Sequence, residues 1–205
     1  MIRFLNTKFI GLKIIVIVIL SFISLSISGC DFLTTREAEK PDTGRSTFIA
    51  ATTVEQLFKN LTESFREKIV RNYESCFVDS SFLNKNFEFY PATKAATKYN
   101  ILTEWDLEAE KQYFANLITS VSKDKSIIVN LFNENSSRQG DSALYNYDYS
   151  IILPHRAGET LDHEYRGSTQ FKVNLDANNH WVITEWIDLS TNDFPSWSEL
   201  KGKFY

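Results

Sequence analysis

The stretch WVITEWIDL at residues 181–189 decides the fold, because it combines two tryptophans with four β-branched side chains in nine residues. Such a composition is typical of a β-strand that packs on both sides. Strict alternation gives the strand two faces, each with one tryptophan. The two sets are Trp181, Ile183, Glu185 and Ile187, and Val182, Thr184, Trp186 and Asp188. We therefore expect a strand inside a sheet, with helices over one face and Trp197 and Leu200, or a second subunit, over the other.

Other strand patterns precede this one. Polar and apolar residues alternate over residues 145–153 and 165–175, and residues 126–132 form a shorter, mostly apolar strand. The sequence Asp176-Ala177-Asn178-Asn179 predicts a turn before the last strand, because asparagine tolerates a positive φ. A short strand is predicted at residues 87–90, and residues 92–103 show no period and predict a long connection. The second half of the chain is thus a run of antiparallel strands.

Helical spacing dominates the first half of the chain after residue 51. Thr53 and Gln56 form a capping-box sequence in front of an apolar face. That face consists of Val54, Leu57, Phe58, Leu61 and Phe65, and a second set continues it with Ile69, Val70, Tyr73 and Phe77. Thr103 or Asp106 begins a third helix, and Ser196 caps a short tail helix that Gly202 is expected to end. Helices followed by strands predict an α+β fold, with the helices on one face of the sheet.

The order of elements and two sequence patches resemble the nuclear transport factor 2-like (cystatin-like α+β) superfamily over residues 52–205. One patch is the strand at residues 181–188. The other is SWSELKGKF at residues 196–204, which is similar to the tail of small bacterial lipoproteins of this fold. The resemblance implies a cone of helices on a curved antiparallel sheet, with a cavity between them. In enzymes of the superfamily, such as ketosteroid isomerase, Tyr, Asp and His side chains project into that cavity, but no residue of this chain matches their catalytic motifs.

The first 30 residues resemble the signal peptide of a bacterial lipoprotein. Three basic residues precede an apolar run at residues 14–27, which is short for a membrane span of about 20 residues. The following ISGC at residues 27–30 is similar to a lipobox. This resemblance implies removal of residues 1–29 and acylation of Cys30, with palmitate as one acyl group. The alternative is an uncleaved amphiphilic anchor that happens to contain a cysteine.

A lipidated Cys30 implies a protein anchored to a membrane of the bacterial cell envelope, with its domain on the exported side, periplasmic or extracellular. Residues 30–51 are then a flexible tether, and residues 52–205 form a single domain. The signal peptide contains three of the 22 Lys+Arg residues and none of the 26 Asp+Glu residues, which leaves 19 basic against 26 acidic residues. A net charge of −7 disfavours nucleic acid as a partner. With Cys30 acylated, Cys76 has no disulfide partner and is predicted to be buried and unreactive.

Motifs for several kinds of chemistry are missing from the sequence. It contains no Gly-x-Ser-x-Gly, no phosphate-binding glycine loop and no Cys-x-x-Cys. His163-Glu164 begins a zincin-like pattern, but Gly167 stands where the second histidine would be required. The polar residues 154–164 could bind a divalent metal, yet a solvated hairpin loop is the favoured interpretation. We therefore expect no cofactor and no metal site.

The candidates for a ligand pocket are Tyr147, Tyr149, Glu185 and Trp186. Glu185 is expected to share a face with Trp181 and Ile183, although a carboxylate at a sheet edge paired with a lysine is the simpler interpretation. The favoured function is non-catalytic binding of a small apolar ligand or an envelope protein. One alternative is a cavity enzyme of the isomerase, dehydratase or hydrolase type, which a buried Glu185 or Asp188 near a tyrosine would favour. Another is a structural subunit, such as a homodimer paired through the sheet, which a filled cavity and an apolar outer face would favour.

Overall fold

The computed structural model describes residues 46–154, 162–191 and 193–205. Cys30, the predicted signal peptide and most of the predicted tether lie outside these residues, as do residues 155–161 of the polar loop. In chain order the elements are α1 (Val54–Glu67), α2 (Val70–Glu74), β1 (Glu88–Tyr90), α3 (Thr93–Lys98), a 3₁₀ helix (Asn100–Glu104), α4 (Leu107–Ser120), β2 (Ile128–Gln139), β3 (Ser142–Ile152), β4 (Glu164–Leu175), β5 (Trp181–Ser190) and α5 (Trp197–Phe204). Within the described ranges, no helix is long and apolar enough to cross a membrane.

The five strands form one sheet in the order β1-β5-β4-β3-β2. Strands β2 to β5 pair antiparallel with one another, as the sequence predicts. The short β1 runs parallel to β5, so the sheet is mixed rather than purely antiparallel. Because β5 has a neighbour on each side, the prediction that residues 181–189 lie inside the sheet is confirmed.

A β-bulge divides β5 and changes which of its side chains face the helices. Ile183 lies opposite Val173 and Glu185 lies opposite Lys172. Thr184, between them, is therefore an extra residue that lies opposite no residue of β4 in the strand register. The extra residue shifts the alternation by one position. Trp181 and Trp186 therefore both lie on the inner, helix-covered face, and their exposed fractions are 3% and 0%. The expectation of one tryptophan on each face is wrong, because strict alternation does not survive the bulge.

Local signals in the sequence explain the helix boundaries. Thr53 accepts a hydrogen bond from the Gln56 amide, and Asp106 accepts one from the Ala109 amide, so both predicted caps are confirmed. The side chain of Gln56 does not return to Thr53, however, but donates to Asn60. α1 ends at Glu67, between the two apolar sets of the sequence, because Lys68 adopts the left-handed conformation with φ 57°.

Lys68 also ties the helical layer to the turn before β2. Its Nζ donates to three backbone carbonyls in residues 122–125, at distances between 2.6 and 3.0 Å. These carbonyls belong to the turn that follows Ser120, the last residue of α4. The end of α1 is thereby fixed to the turn between α4 and β2.

Three segments differ from the sequence prediction. Residues 92–103, expected to form a long connection, contain α3 and most of the 3₁₀ helix. β2 continues beyond Phe132 to Gln139, because a second bulge with Asn133 at φ 55° lets the hairpin extend. α5 does not end at Gly202 but continues to Phe204. Glycine is required there for packing, because a Cβ atom on Gly202 would overlap the ring of Tyr99.

Residues 46–51, the last part of the predicted tether, are hydrogen-bonded to the domain. The Asn60 side chain donates to the Ile49 carbonyl at 2.6 Å, and the Trp181 amide donates to the Ala51 carbonyl at 2.8 Å. Glu67 accepts two hydrogen bonds from Thr47, each at 2.7 Å. The chain is thus held against α1 from about residue 47 onward.

Candidate functional site

Aromatic rings fill the space between the helices and the inner face of the sheet. The centre is Trp197 at the start of α5, which is fully buried. Its ring lies perpendicular to that of Trp186, with the centroids 4.5 Å apart, and it also contacts Phe65 at 5.7 Å. Tyr73 and Phe114 stack at 4.0 Å on the helical side. The volume where the resemblance implies a cavity is therefore occupied by side chains of the protein itself.

The four pocket candidates from the sequence do not lie together. Tyr149 and Trp186 are in the filled centre, with exposed fractions of 1% and 0%. Tyr147 lies on the same inner face but nearer the rim, and its hydroxyl donates to Glu134 at 2.9 Å. Burial raises the pKa of Tyr147, and the hydrogen bond to Glu134 adds to the increase.

Glu185 lies on the opposite, outer face of the sheet. The bulge at Thr184 separates it from Trp181 and Ile183, so the expectation that these three share a face is wrong. Its carboxylate is 3.6 Å from the ammonium group of Lys172 on the neighbouring strand. The simpler interpretation, a carboxylate paired with a lysine, therefore describes its surroundings.

Asp188 clamps the first turn of α5 to the sheet. Its Oδ1 accepts a hydrogen bond from the Tyr149 hydroxyl at 2.8 Å, and its Oδ2 accepts from the amide and the hydroxyl of Ser198. The Tyr149 oxygen in turn accepts from the Trp197 amide at 2.6 Å. Burial raises the pKa of Asp188, against the effect of these donors. A carboxylic acid and a tyrosine are thus within hydrogen-bond reach, but α5 occupies both of them.

Gly167 on β4 allows this clamp to form. A Cβ atom at this position would lie 2.5 Å from the Tyr149 hydroxyl oxygen and 2.5 Å from the Leu189 carbonyl oxygen. No side chain larger than hydrogen fits without moving one of them. Gly167 stands where a zincin pattern would have its second histidine. In this structure glycine is required at that position for the packing of Tyr149.

A second buried polar pair was not predicted from the sequence. The ammonium group of Lys201 on α5 contacts Glu110 Oε2 on α4, and both side chains have 0% exposed area. Glu110 also accepts hydrogen bonds from the Tyr73 hydroxyl and, at 2.6 Å, from Trp105 Nε1. The spacing did contain a signal, because Glu110 precedes Phe114 by four residues and Lys201 follows Trp197 by four. Each charge therefore lies on the apolar face of its own helix.

Aromatic rings surround the ammonium group of Lys201. Its Nζ is 3.7 Å from the ring centroid of Trp186 and 4.1 Å from that of Phe89, with Trp105 and Tyr113 at 5.6 and 5.5 Å. Such contacts stabilise a cation through the negative faces of the rings. Burial nevertheless lowers the pKa of Lys201 to about 8, although Glu110 opposes that decrease. Trp186 Nε1 has no hydrogen-bond partner among the described residues.

The outer face of the sheet carries exposed apolar side chains between polar ones. These are Ile128, Phe132, Leu144, Ile152 and Leu189, with exposed fractions from 39% to 55%. Ile128 lies directly opposite Ile152 in the β2–β3 register. Polar pairs such as Asn146 and Gln170 lie between the apolar residues. The outer face therefore presents both apolar and hydrogen-bonding side chains to solvent.

Two surface depressions lie on the flank formed by residues 78–87. One, of about 570 Å³, lies beside the turn before β5, and the other, of about 600 Å³, lies beside the first turn of α4. They share Val78, Ser80 and Leu107 and contain none of the four pocket candidates. Among the described residues there is no group of three or more His, Cys, Asp or Glu side chains that could hold a metal ion.

Comparison with solved structures identifies the fold. A candidate dehydratase of the nuclear transport factor 2-like family from Streptomyces avermitilis superposes with a TM-score of 0.52 at 10% identity, covering 68% of this chain and 94% of that one. A candidate aromatic ring hydroxylase from Novosphingobium aromaticivorans gives a TM-score of 0.53 at 12% identity, covering 72% and 93%. In sequence, no family model and no curated protein matches the chain. The chain therefore has the nuclear transport factor 2-like α+β fold, as predicted, and at these identities the likeness extends to the fold alone.

Proposed function

We propose that this chain is a lipid-anchored protein of the bacterial cell envelope whose domain binds a protein partner without catalysis. The observation that carries the proposal is the filled interior, with Trp197 packed against Trp186 at 4.5 Å. A small apolar ligand would have to displace this ring and the first turn of α5. Of the two ligand classes that the sequence favours, the protein partner therefore fits the geometry better.

The outer face of the sheet is the surface we assign to that partner. Its exposed apolar residues would lose contact with water on binding, at roughly 25 cal/mol for each Å² of apolar surface. The polar side chains between them supply hydrogen bonds that orient the partner. A face of this kind suits either an envelope protein or a second copy of the chain, and the size of the complex distinguishes the two.

Anchoring rests on the sequence at residues 1–30, where a basic start, an apolar run and ISGC follow one another. Acyl chains on Cys30 would hold the domain at a membrane, because two lipid signals already give stable attachment. Mass spectrometry of the mature protein tests this point. A lipid-modified Cys30 at the N-terminus supports it, and any other N-terminal residue contradicts it.

Photo-crosslinking in living cells tests the binding face. A photoreactive amino acid replaces Ile152 on the outer face, and a matched variant carries it at Ile101 on the helical side, since the two residues are 39% and 40% exposed. We expect an adduct from position 152 and none from position 101. An adduct of twice the chain mass identifies a second copy, and another discrete mass identifies an envelope protein. No adduct from position 152 would refute the assigned face.

A cavity enzyme is the second candidate, because Asp188 and Tyr149 are 2.8 Å apart in a buried site. Substrate could reach this pair only after α5 had left the sheet. Hydrogen exchange at the amides of Trp197 and Ser198 distinguishes the two functions. Exchange as slow as that of the central strands supports the binding protein, whereas rapid exchange through local opening supports the enzyme.

A further inference from the structure

Lys201 and Glu110 form an unusual pair, because no part of either side chain is exposed to solvent. An ion pair in such a place loses the hydration of both charges, and the mutual attraction repays that loss only in part. Transfer of one proton from the ammonium group to the carboxylate replaces two buried charges with two neutral groups. Burial lowers the pKa of Lys201 to about 8, so the neutral amine is more accessible here than for a lysine on the surface.

The neutral form of the pair is chemically reactive. A neutral amine is a nucleophile, and a neutral carboxylic acid has an electrophilic carbon, whereas the charged forms have neither property. The amine nitrogen already contacts the carboxyl group. Fixed proximity of this kind lowers the activation free energy substantially, because the reacting groups are already held together. The Tyr73 hydroxyl and Trp105 Nε1 donate to the two carboxyl oxygens. Both donors would stabilise the charge that develops on oxygen when the carbon is attacked.

We propose that Lys201 and Glu110 condense into an intramolecular isopeptide bond that joins α4 to α5. The Lys201 nitrogen attacks Cδ of Glu110, so that a C–N bond forms and one C–O bond breaks. The departing oxygen leaves as water, taking one proton from the carboxyl group and one from the amine nitrogen. The condensation needs no oxidant, reductant or cofactor. The rings of Trp186 and Phe89 shield the product from water and so from hydrolysis.

The bond would fasten the tail helix covalently to the helical layer. Residues 110 and 201 are 91 positions apart, so the link would enclose β2 to β5 in one covalent loop. The tail helix carries Trp197, which fills the interior, and the link would keep that ring in place. This proposal concerns a modification of the domain and is independent of which partner the outer face binds.

Tryptic digestion of the full-length purified protein tests the proposal. Without the bond, cleavage at the lysines releases residues 99–111 and residues 173–201 as separate peptides. With the bond, Lys201 is protected from trypsin. We expect residues 99–111 joined to residues 173–203, with the mass of one water molecule missing. Quantitative recovery of the two separate peptides from the wild-type protein would overturn the proposal.

Two variants provide the control. Lys201→Met removes the nucleophile and should abolish the joined peptide. Lys203→Met removes a lysine from the same helix whose side chain is 28% exposed, and the link should remain, now in a peptide that extends to residue 205. A joined peptide that persists in Lys201→Met would assign the link to another residue and refute the proposal. If Lys201→Met does not fold, the wild-type digest still decides the question.

Discussion

Replacing Trp197 with alanine is the sharpest test of the filled interior. The ring is fully buried and contacts Trp186, Phe65 and Tyr149, at centroid distances from 4.5 to 5.7 Å. Truncation of a buried tryptophan to alanine typically lowers the free energy of unfolding by about 3–5 kcal/mol, because contacts are lost and a cavity remains. The Tyr113 hydroxyl also loses the hydrogen bond from Trp197 Nε1, which adds about 1 kcal/mol. We therefore expect a loss of roughly 4–6 kcal/mol, a large share of a domain's stability.

Urea unfolding followed by far-ultraviolet circular dichroism measures this loss. Ile101→Ala is the matched control, because Ile101 is 40% exposed and its truncation should change the free energy of unfolding by less than about 0.5 kcal/mol. Indole should bind the cavity in Trp197→Ala and restore part of the stability, since a ligand of the folded state alone stabilises it by mass action. Indole should not affect the wild type. A loss below about 1 kcal/mol for Trp197→Ala would show that the tail helix does not form part of the core.

Four other predictions concern single positions. Gly167→Ala should cost about 1–3 kcal/mol in urea unfolding, because its Cβ would lie 2.5 Å from the Tyr149 oxygen; unchanged stability would contradict the close approach. Asp188 has a folded-state pKa raised above its ordinary value of 3.8, so its contribution to stability is present below that value and is lost as pH rises through the raised pKa. The free energy of unfolding of Asp188→Asn should lack this pH-dependent contribution. The same pH dependence in the variant and the wild type would contradict a raised pKa for Asp188. Burial raises the pKa of the Cys76 thiol, so a thiol reagent should label Cys76 only after unfolding; rapid labelling of the native protein would exclude burial. Cys30→Ala should release the domain from membranes or stall the precursor, as fractionation and immunoblotting would show, and unchanged membrane attachment would argue against lipidation.

Local features of the fold could be predicted from the sequence because the signals lie within a few residues of one another. Thr53, Asp106 and Ser196 each cap a helix by accepting a hydrogen bond from an amide three residues ahead. The alternation in β3 and β4 likewise follows from side chains two residues apart. Patterns of this kind were sufficient to predict the class of fold and the inner position of β5.

The features that were missed depend on contacts between distant parts of the chain. The bulge at Thr184 arises from the pairing of β5 with β4, and no residue within β5 predicts it. Lys201 and Glu110 are 91 residues apart, and although each lies at helical spacing from an aromatic residue, nothing in the local sequence indicates that the two charges meet. Gly202 was expected to end α5 because glycine is common at that position, but its role is to admit the ring of Tyr99. Tertiary packing overrides the local preference in each case.

The single extra residue in β5 makes the domain more tolerant of a one-residue deletion at that position than of an insertion. Removal of Thr184 would leave Ile183, Glu185 and Trp186 in strict alternation opposite Val173, Lys172 and Phe171, so Trp186 would stay in the core. A further residue that the bulge did not absorb would instead rotate every later side chain of β5 to the other side of the sheet, and Asp188 would then lose Tyr149 and the first turn of α5. Related chains and engineered versions can therefore have either one or two residues between Ile183 and Trp186 with the tryptophan on the inner face.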